Sequence, residues 1–293
     1  MADVSWNRMR TFLRVAELGS VRQAAAELHV TEPAVSAAIG EVARALGVAL
    51  FVKAGRGIEL TQSGRTYADY ARSLLGLAAE ASAAVRSAEH GLVRLGAVET
   101  ASETVLPDLL ASFREAHPTV EVSLSVRPRD ELFNALEHRE IDLAIAGRPP
   151  RGTSLVTRAT RANSLIAVSA PNVVSDPLTT TWLLRGPGSG TRDATVGLLA
   201  NLDVAPPMLT LGTQGAVVAA ARRGLGVTLV HADAVRDLLE RGALIQIDIP
   251  GAPLDRPWHL VTGTAPTASS RLFAAHACDV HTAGESAFTT RTA

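Results

Sequence analysis

Four short stretches place hydroxyls, glycines and arginines where a chain can hold an anion. The densest is Arg185-Gly186-Pro187-Gly188-Ser189-Gly190-Thr191-Arg192. Glycines let a backbone approach a bound group, and a helix that comes next offers free N–H groups and the positive end of its dipole. Ser189, Thr191 and Arg192 add donors, so Gly188 to Arg192 reads as a cradle for a phosphate or carboxylate. A flexible glycine turn is the competing reading. The stretch is neither a P-loop nor a dinucleotide fingerprint, and Pro187 stands where the first glycine of a GxSxG elbow belongs. Glu99-Thr100-Ala101-Ser102 sets two hydroxyls, Thr100 and Ser102, at the start of a helix, where they can bind an anion or cap the helix. In Gly147-Arg148-Pro149-Pro150, Arg148 can clamp an acid or lie solvated on a stiff hinge. Gly212-Thr213-Gln214 brings a hydroxyl and an amide to another strand-to-helix junction.

Catalytic and metal chemistry find less support. The eight histidines are scattered, and His276 and His281, five apart, do not share a helix face. No set of nucleophile, base and orienting group can be picked out, so neither an enzyme nor a cofactor nor a metal is expected. Cys278 is the only cysteine, which excludes an intrachain disulfide and leaves it as a small apolar filler.

The elements that would position the four stretches emerge from the pattern after residue 91. LVRLGAV, VEVSLSV, IDLAIAG, LIAVSA, WLLRG, MLTLG, GVTLVHA and PWHLVTG read as strands. VLPDLLASFREAH, DELFNALEHRE, a segment from about Arg192, GAVVAAARR and SSRLFAAHACDVH read as helices. Such alternation predicts α/β lobes with parallel sheets, whose ligands bind beyond the carboxyl ends of the strands. Two lobes joined by two crossings are expected, the first covering about 91–160 and 266–285 and the second about 161–265.

The amino-terminal part has a different grammar. Gly19 to Gly47 reads as two short helices joined by a tight turn. Ser20 with Gln23 forms a capping box, Thr31 offers a second N-cap, and Pro33 falls in a first turn, where its missing N–H costs nothing. Val35, Ile39 and Val42 mark the buried face of the second helix, while Ala24 and Ala25 let the pair cross closely. A third helix, Trp6 to Leu18, precedes them, and ALFVKAGRGIELT comes after as strand, turn and strand with Lys53 and Arg56 at its tip. That is a helix-turn-helix with a basic wing, suited to a DNA major groove and its flanking phosphates. Arg22, Thr31, Glu32, Pro33, Ser36, Lys53 and Arg56 are the candidate DNA contacts.

From FLRVAELG to ELTQSG the chain resembles, without a gap, the winged helix-turn-helix of LysR-type transcriptional regulators. The resemblance implies a bacterial DNA-binding regulator, α+β overall: a winged head over 1–61, a dimerising linker helix over 62–90, and a two-lobed, periplasmic-binding-protein-like α/β effector domain over 91–293. AIAGRPP, LLRGPGSGTR and RPWHLV are most similar to the CbbR-like branch, regulators of carbon-fixation operons, which implies a small anionic, phosphorylated or nucleotide-type metabolite as effector. RNA polymerase is a further partner for such a protein. The linker carries an apolar seam, Tyr67, Tyr70, Leu74, Ala78, Ala81, Val85 and Ala88, that suits pairing with a second copy in a homodimer or homotetramer. The family usually has Gln where this chain has Glu32, and long polar or basic residues where it has Ala37, Ala38 and Gly40. Weak or narrowly specified binding per half-site is expected, since a carboxylate in the groove repels phosphates.

Charge agrees with local rather than bulk attraction to DNA. The net charge is −1 over 293 residues, and the first 64 hold seven basic groups against six acidic ones. The start, MADVSWNRMRTFL, lacks an uninterrupted apolar core and no run suits a membrane span, so a cytoplasmic protein is expected. An intracellular sensing protein with weak or lost DNA binding is the rival reading, favoured only by the altered recognition helix.

Overall fold

The computed structural model describes residues 4–54, 57–86, 91–171 and 176–290. The chain forms two compact units, one reaching to Val85 and the other holding most of the chain from Arg86 onward.

The first unit begins with three helices, α1 (Trp6–Leu18), α2 (Val21–Glu27) and α3 (Glu32–Leu46). Each boundary has a local cause. Gly19 and Gly47 end α1 and α3 in the left-handed conformation that glycine tolerates best. The Ser20 hydroxyl accepts from Gln23 N–H, and the Thr31 hydroxyl accepts from Ala34 N–H. His29 carries the turn between α2 and α3 at φ 54°. A hairpin comes next, β1 (Phe51–Ala54) with β2 (Gly57–Leu60), and then the long α4 (Gln62–Arg86). Thr61 caps α4, its hydroxyl accepting from Gly64 N–H and donating to the Ala49 carbonyl.

Two small cores hold this unit. Val15, Ala24, Ala25 and Val35 are buried where α1, α2 and α3 meet. Phe12, Leu13, Val42, Leu50, Ala68 and Ala71 bury the other side, so the first turns of α4 belong to the head's own core. Burying Phe12 completely contributes about 2–3 kcal/mol. The expected seam on α4 is revised accordingly. Tyr67 packs edge-on against Phe12 instead of facing outward. The exposed apolar face is Tyr70, Leu74 and Leu77, at 70, 44 and 46 % exposure. Ala88 lies outside the described residues, as does Arg56 of the wing.

The second unit has two lobes. The first contributes β3 (Leu92–Ala97), α5 (Glu99–Thr104), α6 (Leu106–Ala116), β4 (Glu121–Val126), α7 (Arg129–Glu137), β5 (Leu143–Ala146) and β6 (Val156–Arg161). The chain then crosses into the second lobe: β7 (Ser164–Ser169), β8 (Trp182–Arg185), α8 (Gly190–Asn201), β9 (Met208–Gly212), α9 (Gln214–Arg222), β10 (Thr228–His231), α10 (Arg236–Glu240), β11 (Ile245–Ile247) and β12 (Leu254–Asp255). It returns with β13 (Trp258–Thr262), α11 (Ala268–Cys278), α12 (Val280–Ala283) and β14 (Thr289–Thr290).

The expected lobe boundaries shift on the return. The first-lobe sheet runs β14-β6-β13-β5-β3-β4. Its central strand β13 is the PWHLVTG segment, which the sequence pattern alone assigns to the second lobe. Leu260 of β13 lies between Ile145 and Ala159, so the second crossing comes before Trp258 and not near residue 265. The sheets are also mixed. β3 is parallel to β4 and β5, and β8 to β9, as alternating strands and helices predict. By contrast, β13 runs antiparallel to both neighbours, and β7 to β10, β11 and β12, because the crossings reverse the chain before it joins a sheet. At the crossings Arg256 N–H donates to the Asn163 carbonyl, 2.9 Å, which places the two crossing segments side by side. α11 returns to the first lobe as expected, with Phe273 and Ala277 in its core and Cys278 packed against that core.

No described helix is long and apolar enough to cross a membrane.

Candidate functional site

Two regions gather the candidate residues. On the head, Thr31, Glu32, Pro33 and Ser36 lie exposed along the first turns of α3, with Arg22 exposed on α2 and Lys53 exposed on β1. Val35 and Val42 turn the opposite face of α3 inward, so the outward face is fixed by packing and not by the polar residues themselves. Two of the head's bases are held by its own acids, Arg8 by Glu41 and Arg14 by Glu17 and Glu27. Any groove-facing positive charge therefore comes from a few remaining bases and the α3 N-terminus, against the Glu32 carboxylate.

The second region lies between the lobes, where β8 and β9 end and α5, α8 and α9 begin. Thr100 on α5 is buried, and its hydroxyl accepts from Arg185 Nη1 at 3.2 Å. Arg185 Nη2 donates to Glu99 Oε2, and the other Glu99 oxygen accepts from the Gln214 backbone N–H, 3.4 Å, at the start of α9. Glu99 thus bridges from the first lobe to the strand end and helix start of the second. The Glu103 carboxyl, one turn on, is pushed up by partial burial and then by Glu99, with Arg185 opposing.

Several atoms here are buried without a hydrogen-bonding partner: Arg185 Nε, Ser189 Oγ, and both Nε2 and Oε1 of Gln214. Gln214 is 3 % exposed, so its whole amide sits out of solvent and unsatisfied. Burying such a group unpaired costs about 1–3 kcal/mol.

The remaining candidates have other engagements. Ser102 Oγ donates to the Glu99 carbonyl, 2.7 Å, within its own helix. Thr213 Oγ1 caps α9 by accepting from Ala216 N–H. Arg192 Nη1 donates to the Arg185 carbonyl and to Thr210 Oγ1, at 3.1 and 3.0 Å, bracing the strand end that carries Arg185. Gly188 has φ 80°, which fits the turn, while Gly190 opens α8 and Thr191 is buried in its first turn. Gly147 and Arg148 come just after β5; Arg148 is exposed, its carbonyl accepts from Arg129 Nη2, and it is not among the partners of the Glu99 group. Glu99 and Arg185 stand within the sequence motifs, yet residue type and spacing do not single them out. The available signal is an arginine closing the buried apolar strand WLLR.

Beside the crossings, Arg161 pairs with Asp233, and His231 stacks on Trp258 with ring centroids 4.5 Å apart. Burial lowers the His231 imidazole to about 4; Asp233 opposes this, while Arg185 and Arg256 add to it. A base whose pKa falls on folding binds its proton more readily when unfolded. Between the ordinary value of 6.5 and about 4, the unfolded chain therefore holds more protons, and stability falls as pH falls through that window. Near pH 4 the loss from His231 reaches about 3 kcal/mol. Urea midpoints measured from pH 7 to 4.5 should show this slope, and His231→Gln should flatten it; an unchanged slope in the variant would assign the effect elsewhere.

Among the described residues no group of three or more His, Cys, Asp or Glu is placed to hold a metal. Ser112 and His276 are hydrogen-bonded at 2.9 Å, but they pack with Phe113 and His117 in a helix layer of the first lobe.

Comparison with known proteins matches both parts of the chain to known domains. Residues 6–65 match the family model "Bacterial regulatory helix-turn-helix protein, lysR family", and residues 86–278 match "LysR substrate binding domain". The HTH-type transcriptional regulator CbbR of Rhodospirillum rubrum is 33% identical over 266 residues, covering 87% of this chain and 88% of its own length. Full-length CbnR complexed with its target DNA superposes with a TM-score of 0.60 at 22% identity, over 92% of this chain and 96% of that one, a likeness of fold. The Synechocystis PCC6803 CcmR regulatory domain in complex with 2-PG superposes with a TM-score of 0.56 at 25% identity, over 63% of this chain and 94% of that one.

Proposed function

The chain belongs to the LysR family of DNA-binding transcriptional regulators with an effector-binding domain, and on that premise we propose that it answers a small anionic metabolite bound between its lobes. The observation that carries this reading is the set of buried, unpartnered donors Arg185 Nε, Ser189 Oγ and Gln214 Nε2. A polyoxygen anion supplies acceptors for the guanidinium, the Ser189 hydroxyl and the α9 N-terminus together. Thr100 lines the same cleft; Arg192, Gly188, Gly190, Thr191 and Thr213 shape its walls. The CcmR regulatory domain, whose structure is in complex with 2-PG, supports a small-molecule effector for this domain.

On the DNA side, two copies pair through Tyr70, Leu74 and Leu77 of α4, whose spacing of four and three makes one stripe, and each presents α3 to a half-site. Ligand binding changes the relation of the lobes, which biases the two heads through their differing affinity for two states. Such a regulator works in the cytoplasm beside RNA polymerase.

A mobility shift with the chain's own upstream DNA tests the reading, repeated with phosphorylated metabolites and with Leu74→Asp. The wild type should shift the fragment, and one of the metabolites should alter the shift. Leu74→Asp should elute as a monomer and bind at least tenfold more weakly, since it loses the second half-site. A wild type that binds metabolites but not its own upstream DNA would favour the sensing protein without a DNA role, the reading that the exposed Glu32 supports.

A further inference from the structure

We propose that Glu99 is a built-in competitor for the effector's acidic group, and that it restricts the cleft to anions with more acceptor oxygens than a carboxylate. This rests on the cleft being the effector site. The two groups there best suited to an anion are the Arg185 guanidinium and the N–H at the start of α9, a helix of nine residues. One carboxylate of the chain itself spans both: Glu99 Oε2 takes Arg185 Nη2, and Oε1 takes Gln214 N–H. Thr100 Oγ1 takes Arg185 Nη1, so the near edge of the guanidinium is fully used.

Exchange between Glu99 and a ligand turns on the number of oxygens each can offer. A monocarboxylate ligand offers two oxygens, and Glu99 already gives two to the same donors. Swapping one for the other gains no bond and forfeits the intramolecular advantage of a tethered group. A second anion alongside Glu99 would put two like charges on one guanidinium in a poorly solvated place. A phosphoryl group presents three oxygens on a tetrahedral frame. It can replace both Glu99 bonds and also reach the donors that Glu99 leaves unpaired, namely Arg185 Nε, Ser189 Oγ and Gln214 Nε2. Because Glu99 stands on the first lobe and its partners on the second, its displacement also removes a cross-lobe tie. Binding and lobe rearrangement are then the same event.

The test is calorimetric titration of the full-length protein with inorganic phosphate and with acetate. Wild type should bind phosphate and leave acetate undetected. Glu99→Gln, which keeps the shape and removes the charge, should bind phosphate roughly tenfold more tightly and bring acetate into range, collapsing the selectivity. Glu99→Ser should do the same by a different route. If either variant keeps the wild-type ratio of phosphate to acetate, or binds phosphate more weakly, Glu99 is not a competitor and the proposal is overturned. Arg185→Gln separates this from the reading of the cleft. Loss of phosphate binding there, with selectivity unmoved in Glu99→Gln, retains the site and refutes the role of Glu99. Phosphate binding unchanged in Arg185→Gln would remove the site itself.

Discussion

Asp142→Ala is expected to destabilise the second unit by about 3 kcal/mol, because it strands a guanidinium that is only 17 % exposed. Asp142 leads into β5, and its side chain is only 5 % exposed. One oxygen accepts from the Arg94 backbone N–H at 2.8 Å and from Nε at 3.2 Å, and the other from Nη2 at 2.7 Å. The Asp142 N–H in turn donates to the Arg94 carbonyl, 2.7 Å. Four hydrogen bonds thus tie β3 to the start of β5 at the point where the parallel pair begins. The attraction between the charges is largely spent on their desolvation, so the pair itself contributes little net stability. Its loss on one side is what costs, since Arg94 would keep its charge and lose every acceptor. Thermal unfolding should show the second unit melting on the order of 10 °C lower. Arg94→Met with Asp142→Leu, which removes both charges, should recover most of that loss. A single variant that melts with the wild type would mean that water replaces the carboxylate.

The pair also bears on the cleft. β3 runs from Leu92 to Ala97 and delivers Glu99 and Thr100 just beyond its end. Any slip of β3 against β5 would move those groups relative to Arg185, which stands on the other lobe.

What the sequence disclosed divides along the range of the interaction. The caps at Ser20 and Thr31, Pro33 in the first turn of α3, and the inward stripe Val35, Ile39 and Val42 depend on neighbours within a few residues, and they are legible from spacing. The Glu99–Arg185 bond spans 86 positions, and no local pattern announces which carboxylate will meet which guanidinium. Trp258–Thr262 is buried along its whole length, and a strand without in-and-out alternation does not say which sheet it joins. The α4 seam fails at Tyr67 for a related reason. Helical period places Tyr67 and Tyr70 on neighbouring faces, but only the folded head reveals that Phe12 claims the first of them. The motif at Arg185 to Arg192 is legible by its glycines, and the role of its two arginines is divided by tertiary structure: one faces the cleft and the other braces it.

Gly64→Ala should abolish DNA binding while leaving ligand binding intact, although alanine is the better helix former. Gly64 lies in the first turn of α4, buried against the segment that joins α3 to β1. A Cβ there would stand 2.1 Å from the Leu50 carbonyl oxygen and 3.0 Å from Leu60 Cδ2. The carbonyl cannot swing aside, because it accepts the Thr61 N–H that opens α4 and because Leu50 itself is buried against Phe12. Either α4 moves off the head or the wing moves with Leu60, and both displace the elements that hold α3 outward. The helix-propensity gain of about 1 kcal/mol from alanine is outweighed by overpacking of about 3 kcal/mol. Gly40, in the interior of α3, supplies the contrast, since a Cβ there meets nothing within 4 Å. Gly40→Ala should therefore raise the stability of the head by up to about 1 kcal/mol. A mobility shift with the upstream DNA and calorimetry with phosphate read the two units separately. If Gly64→Ala binds DNA as the wild type does, the docking of α4 on the head is looser than the packing requires, and the stalk does not set the orientation of the recognition helix.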